Sequence, residues 1–393
     1  MVKIFVGNVA SATTEAELRA LFEEHGAVSD CDILKNYGFV HMDEEDAAQK
    51  AVAALHKYVL NGSRITVEYA TTKVRNATKI YVGNVPEGVT AAKIKELFQA
   101  YGKMHRNAAH VAPLNSGTEI PLLGLGTYKL LGHDLLYQSV SAALDARYRT
   151  FDTAAVYGNE GQLGQVIREL LPKHGLLRSD VFLISKLGPA DQGSRAREGC
   201  LKSLEQLGCK YIDLYLVHWP GTAGLEPRDP LNAEHRAQSW SVLEEFYSSG
   251  QFKAIGVSNY TAKHLRDLIR SCTVPPAVLQ MECHPRLVQR ELRDVCKEAG
   301  IHFQAYSSLG KGALLNEPEV KKVAEVCGRT PTQVLLRWAV QQGISILPRS
   351  SQPGRVQENA RVFHFELSKK EMDKLDSLNT ETRFCTRDSA DII

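Results

Sequence analysis

The chain has 393 residues, 44% hydrophobic and 23% charged, which excludes a disordered chain and leaves length for two or three domains. Lys and Arg total 47 against 45 Asp and Glu, a formal net charge of +2, so bulk charge gives no pull toward nucleic acid or an acidic partner. No apolar run approaches the roughly 18 residues of a membrane span, so no membrane partner is expected.

The eight cysteines include no Cys-x-x-Cys, and the opening apolar run, Met1 to Asn8, is too short for a secretory signal. Reduced thiols and a cytoplasmic location are therefore expected, with the nucleus also open.

The first hundred residues carry an internal repeat. Lys3-Ile4-Phe5-Val6-Gly7-Asn8-Val9 returns as Lys79-Ile80-Tyr81-Val82-Gly83-Asn84-Val85. Leu18, Leu21, Phe22 and Gly26 return at the same offset as Ile94, Leu97, Phe98 and Gly102. Each copy reads as a strand, an amphipathic helix and a glycine stop. The first copy continues with strands over Val28–Leu34 and Tyr37–Met42, a helix over Glu44–His56 and a strand over Arg64–Tyr69. That β-α-β-β-α-β order resembles the RNA recognition motif, in particular the first such domain of the Lark type of RNA-binding proteins. Ile4 to Val9 matches the family hexapeptide. Lys35 to Met42 matches its octapeptide, with Asn36 where Gly is usual and Met42 where an aromatic is usual. The resemblance implies single-stranded RNA as a partner, with Phe5, Tyr37 and Phe39 stacking on bases and Lys35 contacting phosphate. Residues 1–110 hold 13 basic and 13 acidic side chains, so this module lacks a basic footprint and stacking would be its main support.

The second copy has no octapeptide: its place is taken by Val111-Ala-Pro-Leu-Asn-Ser-Gly-Thr118. The resulting division is an RNA recognition motif at 1–72, a truncated second one at 78–104, a junction at 105–112 and a further domain at 113–393. A repeat cut inside a domain looks like a gene fusion or a joined transcript.

From residue 111 the pattern changes. A hairpin with an Asn-Ser-Gly turn is expected over 111–120, closing the floor of the domain behind it. Eight strand-like runs then alternate with amphipathic helices: Leu122–Thr127, Arg149–Thr153, Val181–Lys186, Ile212–His218, Ala254–Ser258, Val278–Glu282, His302–Tyr306 and Ile344–Pro348. Eight such units over about 270 residues make a (β/α)8 TIM barrel, giving an α/β fold behind a small α+β ferredoxin-like module.

Asp152, Tyr157, Lys186 and His218 fall where strands stop and loops begin, which is where barrels place chemistry. A carboxylate, a phenol, an ammonium and an imidazole together can run acid–base chemistry on a carbonyl. A phenol with an ordinary pKa of about 10 is a poor donor at neutral pH, and a nearby ammonium would lower it. Tyr157 is thus the expected general acid, Lys186 its charge partner, Asp152 the anchor of Lys186, and His218 a donor that orients the carbonyl oxygen.

The segment closely resembles the aldo-keto reductase family. Gly124-Leu125-Gly126-Thr127-Tyr128, Asp152 to Glu160, Leu214 to Pro220, Gly256 to Tyr260, Gln280-x-Glu282-x-His284-Pro285 and Leu347 to Asn359 occur in family order. The resemblance implies reduction of aldehydes and ketones to alcohols with NADPH/NADP+, by a monomeric barrel. It implies Tyr306 stacking on the nicotinamide, Ser258, Asn259 and Gln280 at its carboxamide, and Arg349, Ser350 and Arg355 at a 2′-phosphate. Glu358 and Asn359 would meet the adenine, while Gly126, Thr127, Tyr128, Ser307 and Leu309 complete the cofactor seat. Arg349 stands where the family usually has Lys. Gly188 stands where many relatives carry a pocket-walling Trp, leaving Trp219 as the clearest pocket wall. With a short tail after Leu378, an open pocket for small or varied carbonyl substrates is expected. Glu282-x-His284 is read as structural, with no metal site, since no ligand spacing fits. The alternative reading is an RNA-binding protein whose barrel is ancillary.

Overall fold

The computed structural model describes residues 2–10, 12–34, 36–69, 110–386 and 388–393. The truncated second repeat at 78–104 and most of the junction lie outside the described residues, as does Lys35. The chain divides into two compact units, residues 1–109 and 110–393.

In the first unit the strands are β1 (Val2–Gly7), β2 (Val28–Leu34), β3 (Tyr37–Met42) and β6 (Thr66–Tyr69), in the sheet order β2-β3-β1-β6. Helices α1 (Glu15–Glu23) and α2 (Glu45–Leu55) cover one face. Strand alternation decides which. Ile4, Val6, Val40 and Met42 are fully buried against Leu18, Phe22, Ala48 and Ala51. Phe5 and Phe39, directly opposite in the β1–β3 register, point the other way. A capping box between Thr14 and Glu17 fixes the start of α1. A small hairpin, β4 (Val59–Leu60) with β5 (Ser63–Arg64), turns the chain toward β6; the sequence pattern alone merges it with that strand.

The second unit opens with the expected hairpin, β7 (Val111–Pro113) and β8 (Glu119–Pro121). The remaining strands form one parallel sheet in sequential order: β9 (Gly124–Gly126), β10 (Thr150–Asp152), β11 (Phe182–Leu187), β12 (Leu214–Val217), β13 (Ile255–Ser258), β14 (Val278–Glu282), β15 (His302–Tyr306) and β16 (Ser345–Ile346). The barrel closes where Ile346 N donates to Leu122 O at 2.8 Å beside a parallel Leu123–Ile346 bridge. Around it run α3 (His133–Asp145), α4 (Glu160–Lys173), α5 (Ala196–Leu207), α6 (Leu231–Ser248), α7 (Ala262–Ser271), α8 (Arg290–Glu298), α9 (Pro318–Cys327), α10 (Pro331–Val340), α11 (Pro353–Ala360) and α12 (Lys369–Asp376). The last two, α11 and α12, lie beyond the eight alternating units expected from the sequence.

Period-two alternation sorts the strand residues into two cores. Leu183, Tyr215, Val217, Ile255, Val257, Leu279, Met281, Phe303 and Ala305 face the helices. Phe182, Ile184, Leu214, Leu216, Ala254 and Val278 fill the interior with Leu114 and Ile120 of the hairpin, which therefore plugs the barrel floor. The same alternation brings Asp152, Lys186, Ser258, Gln280 and Tyr306 to the open end of that interior, above the apolar layers. No helix among the described residues is long and apolar enough to cross a membrane.

Candidate active site

Asp152 is the last residue of β10, and Lys186 lies near the end of β11, one strand over. Both are buried, Lys186 completely. Lys186 Nζ donates to Asp152 Oδ2 at 2.7 Å, to Thr153 O at 2.8 Å and to the Tyr157 hydroxyl at 3.5 Å. All three ammonium hydrogens thus have acceptors. Tyr157 ends a 3₁₀ turn over Ala155–Tyr157, and Gly158 follows at φ +68°, a left-handed conformation that suits glycine. Asn159 then locks the loop. It accepts from Thr153 Oγ1 at 2.6 Å and donates to Thr127 O at 3.0 Å and Leu130 O at 2.9 Å.

The His218 ring meets the Tyr157 ring edge-on, with centroids 5.7 Å apart, and the Trp219 ring lies 6.4 Å beyond His218. The Tyr128 ring also packs against Tyr157, with centroids 5.0 Å apart. The four residues read from the sequence as a quartet are therefore gathered at one end of the barrel.

Their electrostatics differ from the sequence expectation in one respect. Burial first, and the Asp152 carboxylate second, push the Tyr157 phenol well above its ordinary range. The expected lowering by Lys186 does not prevail in this state. Burial likewise lowers the Lys186 pKa, against the opposing pull of Asp152. Tyr157 is accordingly held protonated, the form a proton donor needs.

The residues expected at a cofactor form a second group. Tyr306 donates to Asn259 Oδ1 at 2.6 Å, and Asn259 Nδ2 donates to His218 O at 2.9 Å and Ser258 Oγ at 3.1 Å. Asn259 and Ser307 both hold positive φ, +62° and +52°, at strand ends facing this end of the barrel. Gln280 donates to Asp152 Oδ2 at 2.9 Å and to Gln304 Oε1 at 2.8 Å. Beyond β16, Arg349 and Arg355 are exposed, while Ser350 and Asn359 are buried. Ser350 Oγ accepts from Gln352 N at 3.1 Å at the start of α11, and Glu358 accepts from Thr330 Oγ1 at 2.5 Å. Asn359 Oδ1 is buried with no hydrogen-bond partner among the described residues. A buried, unspent acceptor on the same short segment of chain as two exposed guanidiniums fits the adenine and phosphate end of a dinucleotide.

The C-terminal segment belongs to this site, and nothing in the sequence pattern announces it. Glu282, fully buried at the end of β14, accepts from Phe384 N at 2.8 Å and Cys385 N at 3.1 Å, with His284 Nε2 3.2 Å away. Burial works against ionisation there. The hydrogen bonds from His284 and the two backbone N–H groups outweigh it and hold the Glu282 pKa below the ordinary carboxylate value. Arg286 O holds Thr380 N and Thr382 N, Cys385 Sγ lies 3.6 Å from Ser307 Oγ, and Ile392 O meets His264 Nε2 at 2.7 Å. The tail is short, yet it is stitched over strand ends rather than leaving that edge bare.

On the first unit, Phe5, Tyr37 and Phe39 form one cluster, with centroids 5.9, 5.8 and 6.0 Å apart.

A parallel barrel with a buried Lys–Asp pair against a tyrosine hydroxyl, all at the strand ends, is the architecture of a barrel oxidoreductase. The chain belongs to the aldo/keto reductase family, whose model matches residues 122–380. Residues 4–66 match the RNA recognition motif, so this part of the first unit is such a domain. Glyoxal reductase of Bacillus subtilis is 41% identical over 271 residues, covering 69% of this chain and 93% of that protein. Aldose reductase B of Dictyostelium discoideum is 38% identical over 284 residues, covering 68% and 91%. Among solved structures, the aldose reductase of Schistosoma japonicum superposes with a TM-score of 0.64 at 32% identity, covering 70% of this chain and 93% of that one. An aldo-keto reductase from a Medee basin deep-sea metagenome library superposes at 0.63 with 35% identity, covering 71% and 100%. The barrel is thus an oxidoreductase of carbonyl compounds, in a family that works with nicotinamide cofactors.

Proposed function

We propose that the barrel, taken as residues 113–393, reduces aldehydes and ketones to alcohols with NADPH, and that Tyr157 is the proton donor. The observation that carries this reading is the contact between the Lys186 ammonium and the Tyr157 hydroxyl, 3.5 Å, with Asp152 holding Lys186 from behind. The bound nicotinamide supplies hydride to the carbonyl carbon. The protein's own residues do the rest. Tyr157 Oη gives its proton to the carbonyl oxygen as negative charge builds there. Lys186 stabilises the phenolate left behind, and Asp152 keeps Lys186 in place and charged. His218 donates to the same oxygen and sets its angle. In the alcohol-oxidising direction Tyr157 takes the proton back.

Tyr306, Ser258, Asn259 and Gln280 would hold the nicotinamide. Gly126, Thr127, Tyr128, Ser307 and Leu309 would line its seat, and Arg349, Ser350 and Arg355 would take the 2′-phosphate, with Glu358 and Asn359 at the adenine. Trp219 walls the substrate pocket. The test is NADPH oxidation over a panel of aldehydes and ketones, wild type beside Tyr157→Phe. Equal rates in the two proteins would remove Tyr157 from its role.

A second reading concerns the first unit. The three-ring cluster of Phe5, Tyr37 and Phe39 supports binding of single-stranded RNA by stacking, as do RNA recognition motifs generally. Titration with a short single-stranded RNA, wild type beside the Phe5→Ala/Phe39→Ala double variant, tests it. Unchanged affinity in the variant would sink the stacking reading.

A further inference from the structure

Inside the barrel, one layer below the site, Gln304 is fully buried on β15. It lies directly opposite Gln280 in the β14–β15 register. Its Oε1 accepts from Gln280 Nε2 at 2.8 Å, and the same Nε2 donates to Asp152 Oδ2 at 2.9 Å. Asp152 Oδ2 in turn takes the Lys186 ammonium at 2.7 Å.

The direction of every bond in this chain is set by its charged end. The Asp152 carboxylate paired with Lys186 can only accept, so Gln280 must turn its NH₂ toward it. The second hydrogen of that NH₂ then needs an acceptor, so Gln304 must turn its Oε1 inward. Both Gln280 hydrogens are thereby spent, and Gln280 can offer a ligand only its own Oε1. The arrangement has a cost. Gln304 Nε2 is left buried with no hydrogen-bond partner among the described residues. An apolar side chain of the same shape would not carry it. A side chain kept only to fill the barrel would be better apolar.

We propose that Gln304 is a positioning residue for the reduction: it fixes the rotation of the Gln280 carboxamide. Gln280 then braces Asp152 with one hydrogen and holds an acceptor ready for the NH₂ of the nicotinamide carboxamide. The seat of the cofactor and the anchor of Lys186 are coupled through one amide group, and Gln304 sets its orientation. This rests on the NADPH-dependent reading given above.

The experiment uses the full chain in three forms: wild type, Gln304→Met, which keeps the volume and loses the acceptor, and Gln304→Glu, which keeps an acceptor for Gln280. NADPH affinity is read from quenching of tryptophan fluorescence, turnover from NADPH oxidation, and folding from thermal melting. Wild type that neither binds nor oxidises NADPH overturns the underlying reading, separately from this one. With wild type active, Gln304→Met is expected to melt no lower than wild type. It should bind NADPH about fivefold more weakly and lose about five- to tenfold in kcat/KM, the loss one ordinary hydrogen bond carries. Gln304→Glu should recover NADPH affinity to within about twofold of wild type. Unchanged affinity and turnover in Gln304→Met overturn the proposal. Equal impairment in the Met and Glu variants also overturns it, since that outcome marks a packing role. If Gln304→Met does not fold, Gln304→Asn, polar but one methylene too short to reach Gln280, carries the same expectation and the same refutation.

Discussion

Lys186 and Asp152 form an ion pair 2.7 Å long, with the Lys186 side chain wholly inside the protein. Such a pair is weak evidence for stability, because removing two charges from water costs about what their attraction returns. Breaking it is another matter. Lys186→Met leaves Asp152 buried with Gln280 as its remaining donor among the contacts described, and takes the ammonium away from Tyr157. We expect destabilisation of about 3–5 kcal/mol, read by denaturant titration. Turnover should fall by about 10²–10⁴ in Tyr157→Phe, the range lost with a general acid. A folded Lys186→Met with wild-type kcat would refute the pairing as a source of catalysis.

Cofactor preference is the second expectation. Arg349 and Arg355 are exposed beyond β16, so neither supports the core, and replacing them changes binding without unfolding the barrel. Arg355→Ala should raise KM for NADPH by about tenfold, the worth of one charge-assisted contact, and leave KM for NADH within about twofold. An equal rise for both cofactors would place Arg355 away from the 2′-phosphate.

The third expectation concerns the tail. Glu282→Gln trades one acceptor oxygen for an NH₂ facing the Phe384 and Cys385 N–H groups. The loss of about 1–3 kcal/mol should fall on the segment after α12 rather than on the whole barrel. Limited proteolysis should cut the variant near its C-terminus first, with KM for the carbonyl substrate rising more than kcat falls. Identical cleavage patterns in both proteins would show the clamp to be without effect.

Legibility in the sequence depended on how local each feature is. The barrel strands were readable because a strand buried on both faces is a short apolar run, as Phe182 to Leu187 is. Asp152, Lys186 and His218 were readable because each interrupts such a run at or near its end, and Tyr157 because it follows Asp152 by five residues in the loop beyond β10. The tail was not, because nothing local to Phe384 or Cys385 marks them; their partner, Glu282, lies about a hundred residues earlier in the chain. Gln304 was hidden for a related reason. Its role depends on which residue stands beside it on β14, and cross-strand register is a property of the fold. The direction of the Tyr157 shift is not legible in the sequence, because charge type is visible there and burial is not.

The last expectation is acid sensitivity of the barrel with two named sources. His264 Nε2 meets Ile392 O at 2.7 Å while its Nδ1 accepts from Thr261 N at 3.2 Å, so both ring nitrogens are committed to the neutral form. Burial dominates and pushes its pKa down to about 4; Arg236 and Lys263 act in the same direction, against the hydrogen bond to Ile392 O and the charge of Asp267. Burial alone takes His302, beside Ser345 Oγ, down to about 4. In the unfolded chain both would titrate near 6.5. Between those values the unfolded state binds more protons than the folded one. The stabilising contribution is therefore complete above about pH 6.5 and drains away as pH falls toward about 4. At pH 5 the loss is on the order of 2 kcal/mol for each histidine. Thermal melting at pH 7.5 and pH 5.0 should show a drop of about 10 °C. His302→Gln, which keeps a polar group for Ser345 but cannot charge, should remove about half of that drop. A drop of the same size in the variant would assign the acid sensitivity elsewhere.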